Sequence, residues 1–184
     1  MPVVATPADS GPSLNSRSLS SSQGGWITKQ EVLAGWGDWL STTWQWDWWV
    51  TLTYDPRKVE PASSTHTAVG WSLSERHWHE WLADSVGDSQ SVESIMPGVY
   101  WLRGREPNPY RYGTHFHALV GGVGTEVSRR NAWASWFNRH GMARVEPYDS
   151  RRGAGWYVSK YVVKELGDLQ FSPNAGQYRI RNED

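Results

Sequence analysis

At 184 residues with 38% hydrophobic content, the chain has the size of one domain with a sizeable core and little room for a second. It has no cysteine, which removes a thiol nucleophile and a cysteine zinc site and argues against a disulfide-held secreted fold. The formal net charge of −1 hides a division: residues 1–98 carry 5 Lys or Arg against 11 Asp or Glu, whereas residues 99–164 carry 11 against 4, so the positive half suits a polyanionic partner.

Residues 1–25 are rich in Ser, Pro and Gly and offer too little apolar surface to offset ordering entropy, which predicts a disordered tail before a single domain over 26–184. Thr28-Lys29-Gln30-Glu31 has the form of a capping box, and Val32, Trp36, Trp39 and Leu40 follow at helical spacing. Residues 44–54 are aromatic and β-branched and predict a strand, with Trp49, Thr51 and Thr53 on one face and Trp48, Val50, Leu52 and Tyr54 on the other. Asp55-Pro56 ends it. Over 68–86 the apolar residues Trp71, Trp78, Trp81 and Leu82 keep a helical period. That helix carries His77-Trp78-His79, but helical residues two apart project about 200° from one another, so this pair cannot close on one ion and is expected to be solvated or packed.

Residues 99–106 and 114–121 predict two strands of a hairpin, joined by a segment whose Pro, Asn and Gly content marks a loop. His115 and His117 lie two apart in the second strand, so both point to one face, and a same-face pair of imidazoles chelates one metal ion. The hairpin would return the Glu106 carboxylate to them, giving a mixed nitrogen and oxygen site for Mg²⁺ or Mn²⁺; Asp149 and Glu165 are alternative carboxylates. Residues 125–140 predict a helix with Trp133, Trp136 and Phe137 on one stripe and Gly141 as its stop, and 142–148 a short strand. Residues 152–166 predict a last helix, stopped at Gly167, on which Tyr157 and Tyr161 share a face, as do Lys160 and Lys164. A further strand is expected around 177–181.

The order β-α-β-β-α-β-α is that of a split βαβ unit with an added helix. It predicts an α+β fold, RNA-recognition-like, with a central antiparallel sheet of about five strands and helices packed on one face. Arg103, Arg105, Arg111, Arg151 and Arg152 are candidate DNA-binding residues, with Arg129, Arg130 and Arg144 as further phosphate contacts. Most of the 14 tryptophans fall on stripes that a core needs; Trp49, on the strand before the candidate metal site, and Trp156, beside Tyr157, are the candidates for base stacking.

Taken together, His115-Phe116-His117, the acidic residue across a hairpin and the Tyr-x-x-Lys helix resemble the HUH endonucleases, which nick single-stranded DNA through a tyrosine. The doubled Tyr157-x-x-Lys160-Tyr161-x-x-Lys164 is similar to the two-tyrosine rolling-circle replication initiators of small single-stranded DNA phages and plasmids. Trp49-Val50-Thr51-Leu52-Thr53-Tyr54 resembles that family's first motif. The resemblance runs over about residues 47–166, with the motifs in the family's order. It implies a metal held by His115, His117 and Glu106, attack on the scissile phosphate by Tyr157 or Tyr161, a 5′-phosphotyrosine bond and a free 3′ hydroxyl. An unperturbed tyrosine has a pKa near ~10, and Lys160 and Lys164 would stabilise the phenolate. The partners implied are a single-stranded DNA origin and a polymerase, in the host cytoplasm of a phage or plasmid. The sequence holds no phosphate-binding loop, so no nucleotide cofactor is expected and a separate helicase would open the duplex. No run of 18 or more apolar residues predicts a membrane span. Two alternatives stay open: a two-tyrosine transposase or relaxase with the same chemistry, and a non-catalytic single-strand-binding module.

Overall fold

The computed structural model describes residues 27–58, 71–87, 96–107, 114–152 and 169–180. The capping box forms as the sequence predicts: the Thr28 hydroxyl accepts from the Glu31 N–H and the Glu31 carboxylate accepts from the Thr28 N–H, opening α1 (Lys29–Thr43). There follow β1 (Trp48–Tyr54), α2 (Trp71–Val86), β2 (Tyr100–Pro107), β3 (Thr114–Gly121), α3 (Arg129–Arg139), β4 (Gly141–Pro147) and β5 (Leu169–Phe171). The five strands form one sheet in the order β4-β1-β3-β2-β5, with antiparallel neighbours throughout. β3 lies between β1 and β2 and runs against both, which makes β1-α2-β2 a split βαβ unit.

Strict alternation along β1 divides the sheet into two faces. Trp48, Val50, Leu52 and Tyr54 are buried with Phe116, Ala118 and Val120 of β3 against Trp78, Trp81 and Leu82 of α2 and Trp136 of α3. Two of the large indoles there donate to main-chain carbonyls: Trp81 to Ala132 at 2.8 Å, which ties α2 to α3, and Trp136 to Thr53 at 3.3 Å. The expectation that helices pack on one face holds for α2 and α3. α1 lies on the opposite face, where Leu40, Trp44 and Trp46 join Tyr100, Leu102 and Leu119 in a second cluster.

Two details depart from the sequence expectations. The C-terminal strand is Leu169–Phe171, while residues 175–178 form a 3-10 turn whose Ala175 carbonyl accepts from the Trp44 indole at 2.8 Å. The α3 stripe splits, because neighbouring helical positions are about 100° apart: Trp136 is fully buried, whereas Trp133 and Phe137 face outward. Gly141 does follow the helix, at φ +147°, and a Cβ there would stand 2.4 Å from the Thr53 carbonyl oxygen. The predicted tail 1–25 and the helix of 152–166 beyond Arg152 lie outside the described residues.

His77 and His140 show what became of the helical His-x-His. His77 stacks on His140, with ring centroids 4.2 Å apart, and its Nδ1 meets the Tyr54 hydroxyl at 3.2 Å. Burial holds both imidazoles below their ordinary value of 6.5, His140 down to about 4. Between those values the unfolded chain binds protons that the folded chain refuses, so stability is complete above pH 6.5 and declines as pH falls toward 4. We expect the thermal midpoint to drop over that window, with His140 contributing on the order of 2 kcal/mol after allowance for residual solvent contact. In calorimetric scans across pH, His140→Phe should flatten this part of the profile; an unchanged profile would show that the ring does not titrate against folding.

Candidate metal centre

The face opposite α2 and α3 is a lattice set by strand register. Glu106 of β2, His115 of β3, Thr53 of β1 and Met142 of β4 form one row across four strands, because each is the direct partner of the next. Gly104, His117, Thr51 and Arg144 form the second row, and Leu102, Leu119, Trp49 and Glu146 the third. The apolar cluster beneath α1 reaches the third row through Leu102, Leu119 and Trp49. The first two rows carry the polar groups.

The hairpin therefore brings Glu106 directly opposite His115, as the sequence predicts. His115 Nε2 lies 3.2 Å from a Glu106 carboxylate oxygen, and the His115 and His117 rings stand nearly perpendicular with centroids 4.8 Å apart. One ligand atom from each of Glu106, His115 and His117 falls within 4.8 Å of the others. Ligands at about 2.1 Å around an octahedral ion are separated by roughly 3.0 Å when adjacent and 4.2 Å when opposed, so the three atoms are close enough to converge on one divalent ion once the side chains draw in by about half an ångström or more. Glu106 and His115 are buried and His117 is half-buried, which shields the charges that an ion would neutralise.

Thr51 completes the arrangement and was not singled out as a site residue by sequence reasoning. Its hydroxyl lies 3.0 Å from His117 Nδ1. Anchoring one imidazole nitrogen fixes the ring's rotation and tautomer and assigns ligation to the other, here Nε2. The signal was present in the alternation of β1, since Thr51 shares a face with Trp49. Only the register shows that it sits beside His117.

The arginines divide by the same parity. Because Glu106 points to the open face, Arg103 and Arg105 point to the other one. Arg103 is 2% exposed, enclosed by the rings of Trp78, Trp101 and Phe116 and bonded to Glu75 and Gln170. Its expected role as a phosphate contact is corrected: the guanidinium joins α2, β2 and β5 within the core. Arg105 is half-buried on the same side and donates to the Ser74 hydroxyl at 2.8 Å. Arg151 and Arg152 lie on an exposed 3-10 turn and pair with Asp149, which is held by these arginines and is not part of the metal cluster. Trp49 is half-buried on the open face, with the Arg144 guanidinium 4.8 Å above its ring. Tyr157, Tyr161, Lys160, Lys164, Trp156, Arg111 and Glu165 lie outside the described residues.

No family model, curated protein or solved structure matches the chain. Among the described residues, no helix is long and apolar enough to cross a membrane.

Metal addition is expected to stabilise the fold. A hundredfold excess of Mn²⁺ over its Kd contributes about 2.7 kcal/mol, which raises the melting temperature of a domain this size by roughly 5–10 °C. His117→Ala should abolish the rise. Thr51→Val should weaken Mn²⁺ binding by about 10–100-fold while Thr51→Ser retains it; equal affinity of the valine and serine variants in titration calorimetry would remove Thr51 from the centre.

Proposed function

We propose that the chain is a metal-dependent endonuclease and strand transferase acting on single-stranded DNA, of the kind that initiates and terminates rolling-circle replication. The observation that carries this reading is the cluster of Glu106, His115 and His117 on the open face of a split βαβ sheet. A binding module of RNA-recognition type uses its open face to stack bases on aromatic rings and has no need of two imidazoles and a carboxylate converging there. The donor set suits Mg²⁺ or Mn²⁺ in the presence of phosphate.

When bound, the ion supplies Lewis-acid polarisation of the scissile phosphate. The remaining steps belong to the chain. His115 and Glu106 place their ligand atoms side by side, and Thr51 holds the His117 ring. In the family that the sequence resembles, Tyr157 or Tyr161 attacks phosphorus. A phosphotyrosine ester forms to the 5′ side of the downstream strand, the bond from phosphorus to the upstream 3′ oxygen breaks, and the proton released by the phenol is balanced by the one gained at that oxygen. Lys160 and Lys164 stabilise the phenolate and the phosphate charge. The ester retains the bond's free energy, so joining needs no ATP. With two tyrosines, one holds the first 5′ end while the other cuts the regenerated origin. A separate helicase and a polymerase complete the cycle in the host cytoplasm.

The test is covalent capture. Single-stranded oligonucleotides of randomised sequence, labelled at either end, are incubated with the protein and Mn²⁺ and resolved under denaturing conditions. The 3′-labelled fragment should remain attached to protein and the 5′-labelled fragment should be released with an extendable 3′ hydroxyl. Tyr157→Phe and Tyr161→Phe together, or His117→Ala alone, should lower adduct yield by at least about a thousandfold. An adduct that persists in the double phenylalanine variant rules the reading out, and the absence of any adduct leaves a binding module.

A further inference from the structure

α3 presents two stripes. Ala132 and Trp136 are fully buried against the sheet, while Trp133 and Phe137, one turn apart, are each 39% exposed. Their rings lie nearly parallel, with centroids 4.7 Å apart and planes at 15°, so they form one aromatic ledge on the surface. Lys58, in the turn after β1, places its ammonium 4.6 Å from the Phe137 ring centroid and donates to the Phe137 carbonyl at 2.6 Å. Arg129 and Arg130, four and three residues before Trp133, lie on the same side of the helix. Both are exposed, and neither guanidinium makes a hydrogen bond or ion pair with another described residue. They also occupy the first turn of a helix, where the macrodipole disfavours cations, so the positive potential there is raised at some cost in stability. Arg139 adds no net charge, since it pairs with Asp84.

We propose that this ledge is a second binding site for single-stranded nucleic acid, separate from the metal centre. A base stacks on the Trp133 and Phe137 pair while flanking phosphates are held by Arg129 and Arg130 at one end and Lys58 at the other. Charge complementarity chooses this occupant: an aromatic platform flanked by cations that no carboxylate neutralises is the usual arrangement for a single strand, whose phosphates carry the opposite charge. α3 packs on the face of the sheet away from Glu106, His115 and His117, so the ledge holds a flanking segment and not the scissile phosphate. The inference draws on the proposed function only for the identity of the strand; binding here requires neither metal nor tyrosine.

The test is fluorescence anisotropy of a labelled 20-nucleotide oligodeoxynucleotide against the full chain, in EDTA, over a range of salt. Trp133→Ala with Phe137→Ala should weaken binding about tenfold or more and leave the salt slope unchanged. Arg129→Gln with Arg130→Gln should weaken it and reduce the slope of log K against log salt by about 1.4, or about 0.7 for each phosphate released. The arginine pair should melt at or slightly above the wild-type temperature and the aromatic pair somewhat below it, while the Mn²⁺-induced stabilisation should stay at the wild-type value in both, which separates this site from the metal centre. Unchanged affinity and slope in both variants overturn the proposal, as does a wild-type chain that fails to bind the oligonucleotide. If the aromatic variant instead converts a self-associating chain to a monomer in sedimentation while keeping its DNA affinity, the ledge is a protein contact and the proposal fails. Loss of covalent capture with oligonucleotide binding intact would sink the nickase reading alone.

Discussion

The two-residue period of a pleated strand is the constraint from which both the core and the site follow. On β3 it sends Phe116, Ala118 and Val120 into the cluster under α2 and α3 and, by the same alternation, sends His115 and His117 to the other face. The imidazoles owe their position to the burial of their neighbours. A one-residue slip of β3 against β1 would expose a phenylalanine and two aliphatic side chains and bury two imidazoles against tryptophan, so hydrophobic burial locks the register that assembles the ligand row. Two buried aliphatic side chains and a phenylalanine are worth on the order of 5 kcal/mol, comparable with the whole stability of a small domain.

The fold carries its charges by enclosing one of them. Arg103 lies among three aromatic rings, and its Nη2 donates hydrogen bonds to the Glu75 carboxylate and the Gln170 side-chain oxygen. Burial pulls that group below its ordinary pKa and Glu75 opposes the shift. Taking one partner from such a pair leaves an uncompensated charge in low dielectric, which is more damaging than the pair is stabilising. The consequence is architectural: α2, β2 and the short β5 strand meet at one side chain. A strand of three residues has little pairing of its own, and Gln170, its central residue, is fastened by this contact.

The five described histidines illustrate how environment separates residues of the same type. On β3 a spacing of two gives a shared face, a carboxylate opposite and a hydroxyl on the outer nitrogen. On α2 the same spacing sends His77 to stack on His140 while His79 faces Glu75 and Trp101. Geometry makes the first pair a chelator and the second pair two unrelated packing contacts. The tryptophans divide in a similar way: seven described indoles are buried in the two clusters, whereas Trp133 is left on the surface beside Phe137.

Local patterns alone were enough to determine the capping box, the order of strands and helices from α1 to β4, the α+β class, the two faces of β1, and the pairing of His115 with His117. These depend on neighbours within a few residues, and a one-dimensional pattern holds that information. The same parity already implied that Arg103 and Arg105 turn away from Glu106, an implication that charge counting obscured. Tertiary structure decided the rest. It set Thr51 against His117, chose Glu106 over Asp149, buried Arg103, stacked His77 on His140, laid α1 on the second face and left Trp133 and Phe137 outside. Each of these joins positions far apart in the chain, through a register or packing angle fixed by the summed burial of the whole core, and no local spacing encodes such a sum.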